Sequence, residues 1–202
     1  MRFYQDRIVP HLVNLAMRNR ELVPYRERTM ALAEGRVLEI GVGSGLNSPL
    51  YNDRATEILG LDPHSRLLRM AAKQTSSVPS KLIEGTAESI PFGDASVDTV
   101  VTTWTLCSVP DVAAALAELR RILKPHGKLL FVEHGLAPED GVRKWQNLLT
   151  PVWKRIAGGC HLNRPIARLV EEAGFHIAQV ETGYMGGPRP MTFMYEGSAR
   201  PR

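Results

Sequence analysis

An α/β fold with a mostly parallel sheet is what this 202-residue sequence predicts, and three observations carry the prediction. From Arg36 onward, short apolar runs rich in branched residues alternate with helical patterns, the signature of a parallel sheet covered by helices on both faces. The first run, Val37-Leu38-Glu39-Ile40, breaks into Gly41, Gly43 and Gly45, which let the backbone turn sharply and approach a ligand closely. The second run ends in Asp62, about twenty residues beyond those glycines, where a carboxylate accepts hydrogen bonds from ribose hydroxyls.

The elements follow in order. Residues Phe3 to Ala33 read as helical, broken by Pro10 and Pro24. Ile8, Leu12, Leu15 and Ala16 form an apolar side that could cover a pocket, a partner or a bilayer surface, with the domain's own pocket preferred. Strands are expected at Arg36–Gly41, Glu57–Asp62, Lys81–Glu84, Val97–Thr103 and Lys128–His134, with helices at Ser65–Lys73 and Asp111–Leu123. The second helix opens at Pro110-Asp111 and stops at Lys124-Pro125-His126-Gly127. Two further helices, Glu139–Gly158 and Arg164–Ala173, precede strands at Ile177–Tyr184 and Met191–Ser198, which flank a Gly/Pro-rich turn and read as an antiparallel hairpin finishing the sheet. Right-handed crossovers then place ligands beyond the carboxyl ends of the strands. Residues 1–34 divide off as an N-terminal helical lid and residues 35–202 as the ligand-binding domain.

Composition narrows the function. With 44% hydrophobic and 23% charged residues the chain is ordinary for a soluble protein, and its net charge of +4 permits anionic partners without requiring them. The basic residues are scattered rather than gathered in a stripe, so no nucleic-acid partner is expected. Two cysteines, Cys107 and Cys160, are too few for a disulfide framework and lack zinc-site spacing, so no metal is expected and a reducing cytoplasm is the default. Asp6, Pro10 and His11 interrupt any apolar signal-peptide core, and no apolar run approaches membrane-spanning length, so the protein is expected to be soluble, with peripheral membrane contact through the N-terminal helix as the alternative.

Glu39 is as informative as the glycines. A nucleotide-phosphate loop points bare N–H groups at negative charge, and a carboxylate just before such a loop would repel it. A ligand with a cationic amino acid part and a ribose, but no phosphate, suits Glu39 far better, and S-adenosylmethionine is such a ligand. For Asp62 a simpler alternative stands, that it caps the following helix.

Glu39-Ile40-Gly41-Val42-Gly43-Ser44-Gly45, Leu61-Asp62-Pro63, Gly85-Thr86-Ala87-Glu88, Phe92-Gly93-Asp94-Ala95-Ser96-Val97-Asp98 and Arg121-Ile122-Leu123-Lys124-Pro125 together resemble a class I S-adenosylmethionine-dependent methyltransferase. His126 departs from that family's usual glycine after the proline. The resemblance implies a Rossmann-like sheet and S-adenosylmethionine as donor, with S-adenosylhomocysteine as product. It implies roles by position: Glu39 near the methionine part or ordering the loop, Gly41, Gly43 and Gly45 admitting the ligand, and Asp62, followed by Pro63, at the ribose. Ala87 and Glu88 would lie at the adenine, and Thr103 and Trp104 would border the methionine and sulfonium. Glu88 reads nearly as well as a helix-start acid at the surface.

A narrower similarity rests on Thr105-Leu106-Cys107-Ser108-Val109-Pro110, Glu133-His134, Pro151-Val152-Trp153 and Gly158-Gly159-Cys160-His161-Leu162-Asn163-Arg164, which resemble the methyltransferase-like seven group of thiol methyltransferases. A more distant one is to bacterial phosphatidylethanolamine and quinone-pathway methyltransferases. These imply a small-molecule acceptor, a thiol first, with a phospholipid or quinone precursor at a membrane surface as the alternative. A nicotinamide oxidoreductase and a non-catalytic cofactor sensor are the remaining readings.

His134 is the candidate to accept a proton or orient the acceptor, against a histidine bonded to backbone at a strand end. Cys107, a small apolar residue in its simplest reading, is a candidate lining residue of the acceptor pocket, as is His161, which could equally cap a turn. Trp145 and Trp153, about two helical turns apart, are expected to share one face, in the core or in an acceptor pocket. Tyr4 is expected to fold over the donor as part of the lid. The sequence leaves the oligomeric state open.

Overall fold

The computed structural model describes residues 9–202. Helices α1 (Val9–Ala16) and α2 (Val23–Ala31) lead into β1 (Gly35–Ile40), β2 (Ala55–Asp62), α3 (Ser65–Ala71), β3 (Ser80–Glu84), β4 (Val97–Thr103), α4 (Val112–Ile122) and β5 (Leu123–His134). Then come α5 (Asp140–Ile156), α6 (Ile166–Glu172), β6 (Phe175–Tyr184), the single turn α7 (Arg189–Thr192) and β7 (Phe193–Pro201). The seven strands lie in the order β3-β2-β1-β4-β5-β7-β6. The pairs among β1 to β5 are parallel, and β7 runs antiparallel to both β5 and β6. The expected parallel sheet with an antiparallel finish is present, with β7 inserted inside the sheet and β6 left at its edge.

Strand alternation divides the core. Val37, Ile58, Val101 and Leu130 pack on one face with Met30 of α2, while Leu38, Leu59, Val100 and Leu129 pack on the other with α4 and α6. Successive side chains of a strand point to opposite faces, and apolar residues at adjacent positions mean both faces are covered. Helix α4 is built as its sequence suggests: Asp111 caps it by accepting from the Ala114 N–H at 3.0 Å, and Ala115, Leu116, Leu119 and Ile122 are buried at helical spacing.

Three expectations change. Strand β5 begins at Leu123, not Lys128, because Leu123 pairs with Val97 before the register slips and Lys128 meets Thr99. Leu12 and Leu15 of α1 are 49% and 70% exposed, while Ala16 lines the cavity as expected, joined by Val13 and Met17, and Asn14 accepts from the Ser44 hydroxyl at 2.6 Å. Trp145 and Trp153 do not share a face of α5. At 3.6 residues per turn, eight positions leave them about 80° apart, so Trp153 lines the cavity while Trp145 is 57% exposed.

Tyr4 lies outside the described residues. Among the described residues, no helix is long and apolar enough to cross a membrane.

Candidate active site

The strand order reverses between β1 and β4, and this switch point is where an open α/β sheet leaves a crevice at its carboxyl ends. A cavity of about 1020 Å³ opens there, roofed by α1 and α2 and lined by residues following β1, β2, β3 and β4 and by His134 at the end of β5. Glu39, Gly41, Gly43, Asp62, Pro63, Ala87, Glu88, Thr103, Trp104, Cys107, His134 and Trp153 all contribute to its wall.

At the β1 and β2 end, the two acids are fastened to the chain. Asp62 is buried and accepts from the Gly43 N–H at 3.0 Å and the His64 N–H at 2.8 Å, so it ties the glycine loop to the tip of β2. Helix α3 takes no side-chain cap from it. Glu39, also buried, accepts from Asn47 Nδ2 at 2.8 Å and Tyr51 Oη at 2.8 Å. Asn47 in turn accepts from Arg26 of α2 at 2.6 Å, which joins the roof to the floor. Burial raises the Glu39 carboxyl to about 7, against the downward pull of the Tyr51 and Asn47 hydrogen bonds and the Arg26 charge. Burial likewise lowers the Arg26 guanidinium, with Glu39 opposing.

The glycines differ in what they do. Gly43 has φ +55°, and a Cβ there would meet only the Gly41 carbonyl at 3.8 Å, so this position is open toward the cavity. Gly45 is outside the wall; a Cβ on it would press Ala71 Cα at 3.0 Å, so its role is contact with α3.

The β4 and β5 end is organised by a residue whose role the sequence left unassigned. Glu133 is fully buried and accepts from the N–H groups of Thr105 at 3.0 Å, Leu106 at 3.0 Å and Cys107 at 3.3 Å, and from the Thr102 hydroxyl. Burial raises its carboxyl, against the downward pull of these four donors. Immediately before that turn, Trp104 adopts φ +51°, a left-handed conformation costly for a bulky residue. Its N–H donates to the Val132 carbonyl at 2.7 Å, and Arg26 lies over its ring at 4.8 Å. Glu88 also joins loops, accepting from the Asp111 N–H at 3.3 Å.

His134 is buried, with Nδ1 3.6 Å from Cys160 Sγ, and Cys160 Sγ lies 3.5 Å from Cys107 Sγ. The hydrogen bond with Cys160, then burial, pushes the Cys107 thiol well up, and the same bond draws Cys160 down. His161 stands outside the cavity wall; its backbone N–H donates to the Cys107 carbonyl at 2.8 Å and its Nδ1 lies 3.3 Å from that oxygen, the turn-anchoring alternative rather than the pocket one. Met185, Met191 and Met194 complete this soft-walled end. Residues 185–194 gave no signal in the sequence as part of a site, because the sheet brings them there from over fifty positions away: Met194 pairs with His134 across β7 and β5.

Residues 38–131 match the family model described as "Methyltransferase domain". Thiol S-methyltransferase TMT1B of Rattus norvegicus is 34% identical over 154 residues, covering 73% of this chain and 63% of that protein, so the chain spans less than two thirds of that relative's length. Phosphatidylethanolamine N-methyltransferase of Cereibacter sphaeroides is 34% identical over 116 residues, 54% of this chain and 57% of that protein. The solved structure of a SAM-dependent methyltransferase from Thermotoga maritima superposes with a TM-score of 0.68 at 24% identity, covering 98% of this chain and 100% of that one.

Proposed function

We propose, from the premise that residues 38–131 belong to the methyltransferase-domain family, that the chain moves a methyl group from S-adenosylmethionine to a small thiol. The observation that carries the reading is the cavity itself, acidic at the β1 and β2 end and soft and sulfur-rich at the β4 and β5 end. The donor end fits the proposed ligand on its own chemistry: Gly43 leaves the space a Cβ would occupy, and Asp62 keeps lone pairs beyond its two backbone bonds for ribose hydroxyls. Bound there, S-adenosylmethionine supplies an electrophilic methyl group on a cationic sulfur.

The chain's part is alignment and exclusion of water. Glu39, through Asn47 and Tyr51, fixes the loop on which the donor rests, and Ala87 and Glu88 flank the adenine position. Thr103 and Trp104 separate donor from acceptor. Glu133 is a positioning residue that holds the 105–107 turn in place, and His134 stands at the acceptor end to take the thiol proton. Holding reacting atoms in line supplies as much as roughly 7–11 kcal/mol in the best-oriented cases. A thiol with pKa near 8.5 already holds a few per cent thiolate at neutral pH, so the barrier to be covered by a base is small. Residues 1–34 act as a lid, with Arg26 bridging to Asn47 and ordering the roof over the donor.

One observation favours a second reading, action at a membrane surface. Trp145, Leu148, Val152 and Ile156 form a stripe on α5 that is 50% to 67% exposed, beside Lys144, Lys154 and Arg155. Cytoplasmic protein resting on a bilayer by this face would meet lipid acceptors. The deciding experiment measures S-adenosylhomocysteine release over thiols, phenols, amines and phospholipids, with co-sedimentation on anionic vesicles. Turnover of thiols supports the first reading, and turnover confined to vesicle-borne lipid replaces it with the second. Calorimetric binding of a nicotinamide dinucleotide with none of S-adenosylmethionine defeats both.

A further inference from the structure

Cys107, His134 and Cys160 come from three separate segments, yet their ligating atoms all lie within 4.8 Å of one another in the cavity wall. Their placement is enforced by backbone. The turn carrying Cys160 is stapled onto the loop carrying Cys107: the His161 N–H donates to the Cys107 carbonyl at 2.8 Å, and the buried Arg164 guanidinium donates to the Leu106 carbonyl. Glu133, next in sequence to His134, holds the Cys107 N–H. In a tetrahedral zinc site, Zn–S of about 2.3 Å and Zn–N of about 2.0–2.1 Å set the S···S edge near 3.8 Å and the S···N edge near 3.5 Å. Two of the three observed edges are 3.5 Å between the sulfurs and 3.6 Å between Cys160 Sγ and His134 Nδ1, and the third, from Cys107 to His134, is within 4.8 Å. Nδ1 is the His134 nitrogen that faces Cys160, and among the described residues Nε2 is buried without a hydrogen-bond partner.

We propose that Cys107, Cys160 and His134 bind a zinc ion whose fourth position opens into the cavity and takes the acceptor's sulfur. Two thiolates and one imidazole with a free position form a catalytic-type donor set, where a structural site would be closed by a fourth protein ligand. The acceptor part of this inference rests on the thiol reading above; the metal part does not. On metal binding the Cys107 and Cys160 thiols lose their protons to solvent and His134 serves as ligand in place of proton acceptor; on coordination the acceptor R–SH likewise gives its proton to solvent. Its sulfur lone pair then forms the new S–CH3 bond while the donor's S–CH3 bond breaks, that electron pair remaining on the donor sulfur. The donor leaves as a neutral thioether, the methylated acceptor leaves as a weakly ligating thioether, and no oxidant or reductant is consumed.

The test uses the full chain purified without a metal-chelating tag. Elemental analysis after dialysis against zinc is expected to give close to one zinc per chain. Cobalt replacement is expected to give thiolate-to-metal absorption that disappears in Cys160→Ser. Calorimetry with S-adenosylhomocysteine, expected to give wild-type affinity, shows that the variant is folded. Stripping the metal is expected to lower thiol turnover at least tenfold, and zinc to restore it. A chain that takes up no zinc or cobalt overturns the proposal, as does unchanged cobalt absorption in folded Cys160→Ser, a Cys107–Cys160 disulfide in the fully active protein, or full thiol turnover after stripping. Zinc bound by these residues with no thiol methylated leaves the metal site standing and defeats the thiol reading alone.

Discussion

The two ends of the cavity are built by different rules. At the β1 and β2 end, the acids are already engaged by the chain's own donors: Asp62 by the Gly43 and His64 N–H groups, Glu39 by Asn47 and Tyr51. At the β4 and β5 end, one buried carboxylate, Glu133, spends its bonding on a turn, and what faces the cavity is sulfur and imidazole. The first end is a rigid polar socket; the second is a soft wall. The difference predicts that donor binding and acceptor choice, proposed for opposite ends, separate in variants.

The largest separation is expected from Asp62→Ala. The acceptor proposed for the ribose hydroxyls is lost, at roughly 1.5–3 kcal/mol per charge-assisted hydrogen bond, and donor affinity should fall at least a hundredfold by calorimetry. If affinity stays within threefold, the socket is not where the donor binds.

Glu39→Gln sharpens the same end through pH. The folded-state value of about 7 lies above the ordinary 4.5, so the folded state holds the proton more tightly. That stability is fully present below about pH 4.5 and is lost as pH rises through about 7. At 1.36 kcal/mol per unit, Glu39→Gln should gain up to about 3 kcal/mol over wild type at pH 8, relative to the difference at pH 4. Urea unfolding at both pH values measures it, and parallel pH profiles for the two proteins would refute it.

Glu133→Gln probes the other end. The amide cannot accept from all four donors, and about 2 kcal/mol of stability should be lost, as expected when buried donors lose their acceptor. Acceptor KM and kcat should both worsen while donor affinity stays within twofold; a matching loss of donor affinity would erase the distinction between the ends.

Gly43→Ala should be milder. A left-handed alanine costs about 1–2 kcal/mol, so Tm should fall by roughly 2–8 °C; its Cβ meets nothing closer than 3.8 Å in the free protein, and donor affinity should drop roughly tenfold. The smallest effect in solution belongs to Trp145→Ser, with turnover of soluble thiols within twofold of wild type and only vesicle co-sedimentation reduced. Unchanged co-sedimentation would remove α5 as a membrane face.

Legibility follows the same division. The socket could be read because its parts are local: an acid-tipped strand, glycines within six positions of Glu39, and Asp62 at the next strand end. Asn47 and Tyr51, though close in sequence, carried no pattern of their own, since a lone amide or phenol is common on any surface. The soft wall could not be read from spacing, because Cys107 and Cys160 are fifty-three positions apart and meet only once the turn at 159–161 docks on the loop after β4. The pairing of the tryptophans failed for a helical reason. Counting whole turns ignores the angle that accumulates over eight residues, and that angle sent Trp145 to the surface.

The last part of the chain reaches the cavity through the antiparallel β7, lodged between β5 and β6 and held to α2 by the Glu196–Arg28 ion pair. It supplies Met185, Met191 and Met194 to one wall while leaving β1 and β2 untouched. One wall of the cavity is therefore open to change through three unbranched, adaptable side chains, with the glycine loop and the tip of β2 kept as they are.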